Sequence, residues 1–351
     1  MKNNKNKKNT FVLYSLISLI TAFAVCALFF FYELSAIDLP ENAKEVRFEI
    51  PAGISVSEIS NSLYEKNLIR SPKAFYLAAR FPFLSLRKTS PVIKSGVYSL
   101  KTSMNVFEIF TLFESGQQEF IKTVIPEGLT IRKIARILET EGVCSAEDFI
   151  TAAQNPDLIQ KYSIPFETFE GFLFPDTYFF APSMNAENVL LIMIENFFKK
   201  ISIIPEFADK SVPDFYEKLI LASIVEREYR VADEAPLIAS VFTNRINAGA
   251  GLYSCATIEY IITEIQGRPH PDVITYDDLK IDSPYNTYKW AALPPGPISN
   301  PGLIALKAAA NPPETNYFYF TLTDSDAGSH TFSESFNAHI KAGTQFKTKK
   351  S

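Results

Sequence analysis

Glu226 closes an unbroken apolar run, Leu219-Ile220-Leu221-Ala222-Ser223-Ile224-Val225, and Glu228 follows two residues later. A carboxyl at the end of a buried helix loses hydration, which raises its pKa and keeps it protonated near neutrality. That is the state a general acid needs. The same pattern also fits a glutamate that marks where the helix meets solvent, paired with Arg230 at i+4. Glu228 lies about 200° round the helix from Glu226, so it is expected to be structural or to support the first acid from another face. Further candidates lie downstream. Asn244 and Arg245 sit near the end of an expected helix over 235–247, and Tyr285, Asn286 and Thr287 sit in the loop Ser283-Pro284-Tyr285-Asn286-Thr287-Tyr288. Such residues suit stacking on a sugar and hydrogen bonding to it. They equally suit helix capping and rigid turns.

Other chemistries find little support. His270, His330 and His339 are the only histidines, and none has H-E-x-x-H or C-x-x-C company, so no metal or other cofactor is expected. There is no Gly-rich phosphate loop and no G-x-S-x-G elbow. Lys and Arg total 34 against 39 Asp and Glu, a net charge of −5, which argues against a nucleic-acid partner. Cys26, Cys144 and Cys255 are too few and too scattered for a disulfide framework. With 47% hydrophobic and 21% charged residues, global disorder is excluded. A length of 351 residues suggests about two soluble domains.

The elements that must carry these residues begin with a membrane segment. Phe11 to Tyr32 contains no charge and as a helix would span roughly 33 Å, enough for the hydrocarbon core. Lys2, Lys5, Lys7 and Lys8 precede it and Glu33 and Asp38 follow. The expected topology is a cytoplasmic tail (1–10), a retained transmembrane helix (11–32), a linker (33–45) and an extracytoplasmic remainder. A cleaved signal peptide is the rival, but the run is long and ends in Phe29-Phe30-Phe31-Tyr32.

A repeat follows. Ile50-Pro51-Ala52-Gly53-Ile54-Ser55-Val56 aligns with Ile125-Pro126-Glu127-Gly128-Leu129-Thr130-Ile131, and Ser71, Phe75, Ala78 and Ala79 align with Ser145, Phe149, Ala152 and Ala153. Each copy reads as a strand, a turn at glycine, a helix capped by Ser55 or Thr130, and a second helix. Gly96 to Ile109 reads as a weaker middle copy. Strand–helix–helix units of this size resemble LysM-type glycan-binding modules; a plain spacer is equally compatible. Beyond it, helices are expected at 186–201, 214–228 and 235–247, with strands at 316–323 and near His330-Thr331-Phe332. The Glu170–Tyr178 stretch reads as an aromatic-rich loop or strand entry.

Taken in order, the segments resemble the YceG-like (MltG) family of membrane-anchored endolytic murein transglycosylases. The matching pieces are Pro126-Glu127-Gly128-Leu129-Thr130, Glu170-Gly171-Phe172-Leu173-Phe174-Pro175-Asp176-Thr177-Tyr178 and Leu221-Ala222-Ser223-Ile224-Val225-Glu226. They continue with Ala239-Ser240-Val241-Phe242-x-Asn244-Arg245, the 283–288 loop, Leu293-Pro294-Pro295-Gly296 and His330-Thr331-Phe332. The resemblance implies an α+β chain: a transmembrane helix, a LysM-like region (46–155), a mixed α/β catalytic domain (156–345) and a basic tail (346–351). It implies Glu226 as the catalytic acid/base; Asn244, Arg245, Tyr285, Asn286, Thr287 and Glu228 are the candidates for substrate binding. One departure stands out: many members read Leu-Gln-x-Asp-Pro-Thr-Val where this chain has Leu252-Tyr253-Ser254-Cys255-Ala256-Thr257-Ile258. The carboxylate missing at Cys255 is not expected to be essential here.

The resemblance further implies cleavage of the β-1,4 bond between N-acetylmuramic acid and N-acetylglucosamine without water, leaving 1,6-anhydro ends and terminating nascent strands. The absence of a second obvious acid in the matched segments is consistent with that route, since most hydrolases need two carboxylates. Glu226 is expected at the floor of a groove walled by Asn244 and the 283–288 loop. The implied partners are peptidoglycan strands, the inner membrane and, as candidates, peptidoglycan synthases. The alternatives are a noncatalytic membrane-tethered peptidoglycan-binding protein and a hydrolase that adds water.

Overall fold

The computed structural model describes residues 2–51, 53–85, 87–116, 119–207 and 214–350. Met1 and Ser351, at the ends of the two expected tails, lie outside the described residues. Helix α1 spans Lys2–Glu33, and its stretch Leu13–Glu33 is long and apolar enough to cross a membrane. Its apolar side chains, Phe23 and Leu28 among them, are exposed. The chain, this helix included, divides into two compact units, residues 1–120 and 121–351.

In the first unit, β1 (Glu45–Ile50) pairs antiparallel with β2 (Gly96–Lys101), in register from Glu45↔Lys101 to Ile50↔Gly96. Strand alternation turns Phe48 and Ile50 inward and Arg47 and Glu49 outward. Between the strands lie α2 (Val56–Glu65) and α3 (Pro72–Arg80). Ser55 and Glu58 form a capping box on α2, and Pro72 sits at the first position of α3, where no amide donor is missed. Helix α4 (Val106–Ser115) follows β2 and packs Phe110 and Phe113 against Phe75, Phe48 and Tyr98. Gly96 to Ile109 is therefore not a middle copy. It supplies the closing strand of the first module, followed by α4, and among the described residues no second helix follows α4 before β3.

The second unit opens on the same order. Strand β3 (Ile121–Val124) leads to α5 (Ile131–Thr140), α6 (Ala146–Ala153) and the short α7 (Pro156–Lys161). Strand β4 (Thr177–Phe180) closes this module, antiparallel to β3 from Ile121↔Phe180 to Val124↔Thr177. Gly53 and Gly128 occupy matching turns with φ of +80° and +72°, left-handed backbone that a side chain would strain. The two compact units divide at 120/121. Residues 121–153 belong with the second unit because Ile134, Leu138 and Phe149 are buried in its core.

Helix α8 (Ala186–Ile201) packs against α6. The centre of the unit is α9 (Phe215–Glu228), buried along Leu219 to Val225 and packed against α10 (Ala235–Asn247) and α12 (Leu303–Ala310). The short α11 (Cys255–Tyr260) runs into one π-helical turn at Ile261–Ile265. A hairpin of β5 (Tyr319–Asp324) and β6 (Ser329–Ser333) and helix α13 (Phe336–Lys350) complete the chain. Residues 346–350, expected as a tail, continue α13.

Candidate active site

Glu226 stands where buried α9 reaches its last turn. Its Oε2 accepts a 2.8 Å hydrogen bond from the backbone N–H of Gly302, the residue that caps the N-terminus of α12. Burial pushes its carboxyl up to about 7; the Gly302 amide opposes this, the neighbouring Glu127 charge reinforces it, and the Tyr229 hydroxyl and Arg227 oppose it. A carboxyl poised there can both give and take a proton near neutral pH.

Three buried contacts fix the loop that carries Gly302. The Ser223 hydroxyl accepts from the Ile298 amide at 3.0 Å, and the Ser299 hydroxyl donates to the Ser223 carbonyl at 2.9 Å. Asn300, 1% exposed, does most of the joining. Its Oδ1 accepts from the amides of Gly171 and Leu173, and its Nδ2 donates to the Leu129 carbonyl and to Glu170. Its backbone pairs with Gly128 and Leu129. Three segments distant in sequence, 128–131, 170–173 and 298–302, therefore meet at one amide. Glu170 accepts in addition from the Ile131 amide at the start of α5. Burial pushes its carboxyl up to about 8, against those hydrogen bonds.

The Pro126-Glu127-Gly128 turn touches Glu226 itself. A Cβ on Gly128 would lie 3.4 Å from Glu226 Cγ and from Arg227 Cδ. Arg227 donates to the Gly128 carbonyl and forms a 2.6 Å ion pair with Glu259, which also meets Lys133 and His270. Glu127 is thus a second carboxylate beside Glu226, inside a segment that sequence reading had matched but not credited with an acid. The signal was available in the repeat: Glu127 stands where the first copy has Ala52.

The remaining sequence-chosen residues lie elsewhere around α9 and α10. Glu228 accepts from the Ser254 hydroxyl, and burial raises its pKa. With Arg245, Tyr253, Cys255, Tyr288 and His339 it lines a cavity of about 560 Å³ whose lining does not include Glu226. The Arg245 guanidinium lies over the Tyr253 and Tyr319 rings and donates to the Phe318 carbonyl. The Asn244 amide donates to the carbonyls of Thr315 and Tyr317, holding the approach to β5. Asn286 is fully buried and donates to the carbonyls of Leu279 and Ile281. The Thr287 hydroxyl, also buried, accepts from the Ser254 amide and meets Thr257. Tyr285 packs on Tyr260, ring centroids 5.2 Å apart. All three cysteines are free thiols; burial pushes Cys144 up to about 11, and Cys255 Sγ lies 3.0 Å from the Tyr288 hydroxyl.

Comparison with known proteins adds to this geometry. An "Endolytic murein transglycosylase" of Bacillus subtilis (strain 168) is 29% identical over 317 residues, covering 86% of this chain and 84% of that protein. A protein of the same name from Streptococcus pneumoniae R6 is also 29% identical over 317 residues, covering 82% of this chain. This chain spans about half the length of that longer relative, 56%. A crystal structure of a YceG-like protein from Listeria monocytogenes superposes with a TM-score of 0.56 at 31% identity, covering 86% of this chain and 99% of that one. The model of the YceG-like family matches residues 48–345, and the chain belongs to that family.

Proposed function

We propose that this chain is a membrane-anchored endolytic murein transglycosylase with Glu226 as its acid and then its base. The observation that carries this reading is the Glu226 carboxyl, raised to about 7 at the end of a buried helix and oriented by the Gly302 amide. The names of the Bacillus and pneumococcal relatives support the substrate class. In the proposed reaction, protonated Glu226 donates to the bridging oxygen of a MurNAc-β-1,4-GlcNAc bond as the C1–O bond breaks. The resulting carboxylate takes the proton of the muramyl 6-hydroxyl as that oxygen bonds to C1. One proton leaves Glu226 and one returns. No water enters, because the nucleophile belongs to the same sugar and is already oriented.

Of the binding candidates, we assign sugar contact to Glu228 and Arg245 at the 560 Å³ cavity, and to Tyr285. Asn244, Asn286 and Thr287 act by holding the loops around it: they do not line the cavity, and their polar groups bind the backbone of neighbouring segments. The 46–155 region contributes LysM-like glycan contact, and α1 anchors the chain with its catalytic part outside the cytoplasm. Its action there is to terminate nascent strands beside the synthases. A reporter active only in the cytoplasm, fused after residue 351, should stay silent; a signal reverses the orientation.

The presence of Glu127 beside Glu226 favours one second reading, a hydrolase that uses two carboxylates to add water. Mass spectrometry of the ends released from purified glycan strands separates the readings. Anhydro-muramyl ends support the transglycosylase, reducing ends support the hydrolase, and intact strands leave only a peptidoglycan-binding protein.

A further inference from the structure

We propose that Glu127 is a positioning residue of this site, a second carboxylate whose negative charge is held beside Glu226 across Gly302. The inference rests on the reading of Glu226 as the acid. Its basis is the packing around Gly302. That residue has ordinary extended backbone, φ −81° and ψ 178°, so its torsions make no demand for glycine. Space does. A Cβ on Gly302 would fall 2.6 Å from Glu127 Cδ and 2.8 Å from Glu127 Cγ, well inside van der Waals contact. The missing side chain is therefore occupied by the carboxylate of Glu127, while the Gly302 amide, one bond away, donates to Glu226.

Glu127 is exposed, and among the described residues no hydrogen bond or ion pair engages its carboxylate. Its charge is near enough to bear on the Glu226 carboxyl. The charged and titratable groups around Glu226 are Glu127 from the β3–α5 turn, Tyr229 and Arg227 from the end of its own helix, and Glu259, Lys133 and His270 reached through Arg227. Arg227 is neutralised by its 2.6 Å pair with Glu259, which leaves the Glu127 charge less opposed at the carboxyl. A like charge favours the protonated form of its neighbour. Glu127 thereby keeps the transferable proton on Glu226 before the reaction. It also presents negative charge where positive charge builds on the sugar ring.

The test is the pH profile of kcat/KM on purified glycan strands for the full chain and for Glu127→Gln, Gly302→Ala, Glu127→Ala, the Glu127→Ala/Gly302→Ala pair and Glu226→Gln. Glu127→Gln should move the alkaline limb about one pH unit lower, a loss of up to about tenfold above neutrality. Gly302→Ala should do the same by displacing the carboxylate. Once Glu127 is alanine, the added Cβ has room, so the double variant should be no worse than Glu127→Ala alone. An unmoved limb in Glu127→Gln, or losses that simply multiply in the double variant, overturns the inference. If Glu226→Gln keeps wild-type activity, the reading of Glu226 falls and this inference with it. If Glu226→Gln is inactive while Glu127→Gln keeps the wild-type limb, only this inference falls.

Discussion

The chain uses one strand–helix–helix–strand pattern twice, at 45–101 and at 121–180, and the second copy carries residues of the candidate site. The two turns are alike in backbone: Gly53 and Gly128 are both left-handed, and Ser55 and Thr130 cap the helices that follow. They differ in what surrounds them. A Cβ on Gly53 would meet nothing within 4 Å, whereas one on Gly128 would meet Glu226 and Arg227. The first module closes on its own small core of Phe48, Tyr98 and Phe113. The second adds Glu127 to its turn and is tied through Asn300 to the loop that holds Glu226. The motif thus sets the local structure, while the candidate site draws on Glu127 and on the long-range contacts of Asn300.

The largest break in that comparison should come from Asn300→Ala. It removes four side-chain hydrogen bonds at a buried position and leaves Glu170 short of a donor, so the second unit should lose roughly 2–4 kcal/mol. Urea unfolding followed by hydrogen exchange would read the loss. An equal loss of protection in the first unit would show that the pin is not specific to the second.

A pH effect comes next. Folding raises Glu170 to about 8 and Glu226 to about 7, from an ordinary 4.5. A carboxyl raised on folding binds its proton more tightly in the folded state. Its contribution is complete below the unfolded pKa and is lost as pH rises through the folded one. Stability of the second unit should therefore fall between about pH 4.5 and 8, and Glu170→Gln should flatten the slope. Thermal melts that rise over that window would contradict the buried, protonated glutamate.

The smallest effect sharpens the comparison most. Gly53→Ala and Gly128→Ala should each cost about 1 kcal/mol of stability, from the same left-handed strain. Only Gly128→Ala should also lower turnover, severalfold, because its methyl group comes into contact with the Glu226 and Arg227 side chains. Equal turnover losses in the two variants would remove the functional difference between the turns.

The helices were the most legible part of the sequence. The expected bounds 186–201 and 235–247 agree with α8 and α10, because apolar periodicity and a proline at the start of α10 are local signals. The module's closing strands were harder. Strand β2 looks in sequence like the start of another copy, because its partner β1 lies far back in the chain and pairing at that range leaves no local mark. Glu226 was legible from the apolar run that it ends, together with the family resemblance. Glu127 and Asn300 were not, since their importance lies in contacts between distant segments. Asn286 and Thr287 carry the composition of a sugar-facing loop, yet the carbonyls of Leu279 and Ile281 and the Ser254 amide draw them inward.

The central claim is that Glu226, and not its neighbour two residues on, transfers the proton. Initial rates of strand cleavage for Glu226→Gln and Glu228→Gln, each checked for folding by circular dichroism, address it directly. General acid–base catalysis typically contributes about 10²–10⁴-fold, and in the proposed reaction one group serves both halves. Glu226→Gln should therefore lose at least about 10³-fold, while Glu228→Gln, which faces Ser254 and the cavity, should lose far less. Equal losses in the two variants, or an active Glu226→Gln, would contradict the account.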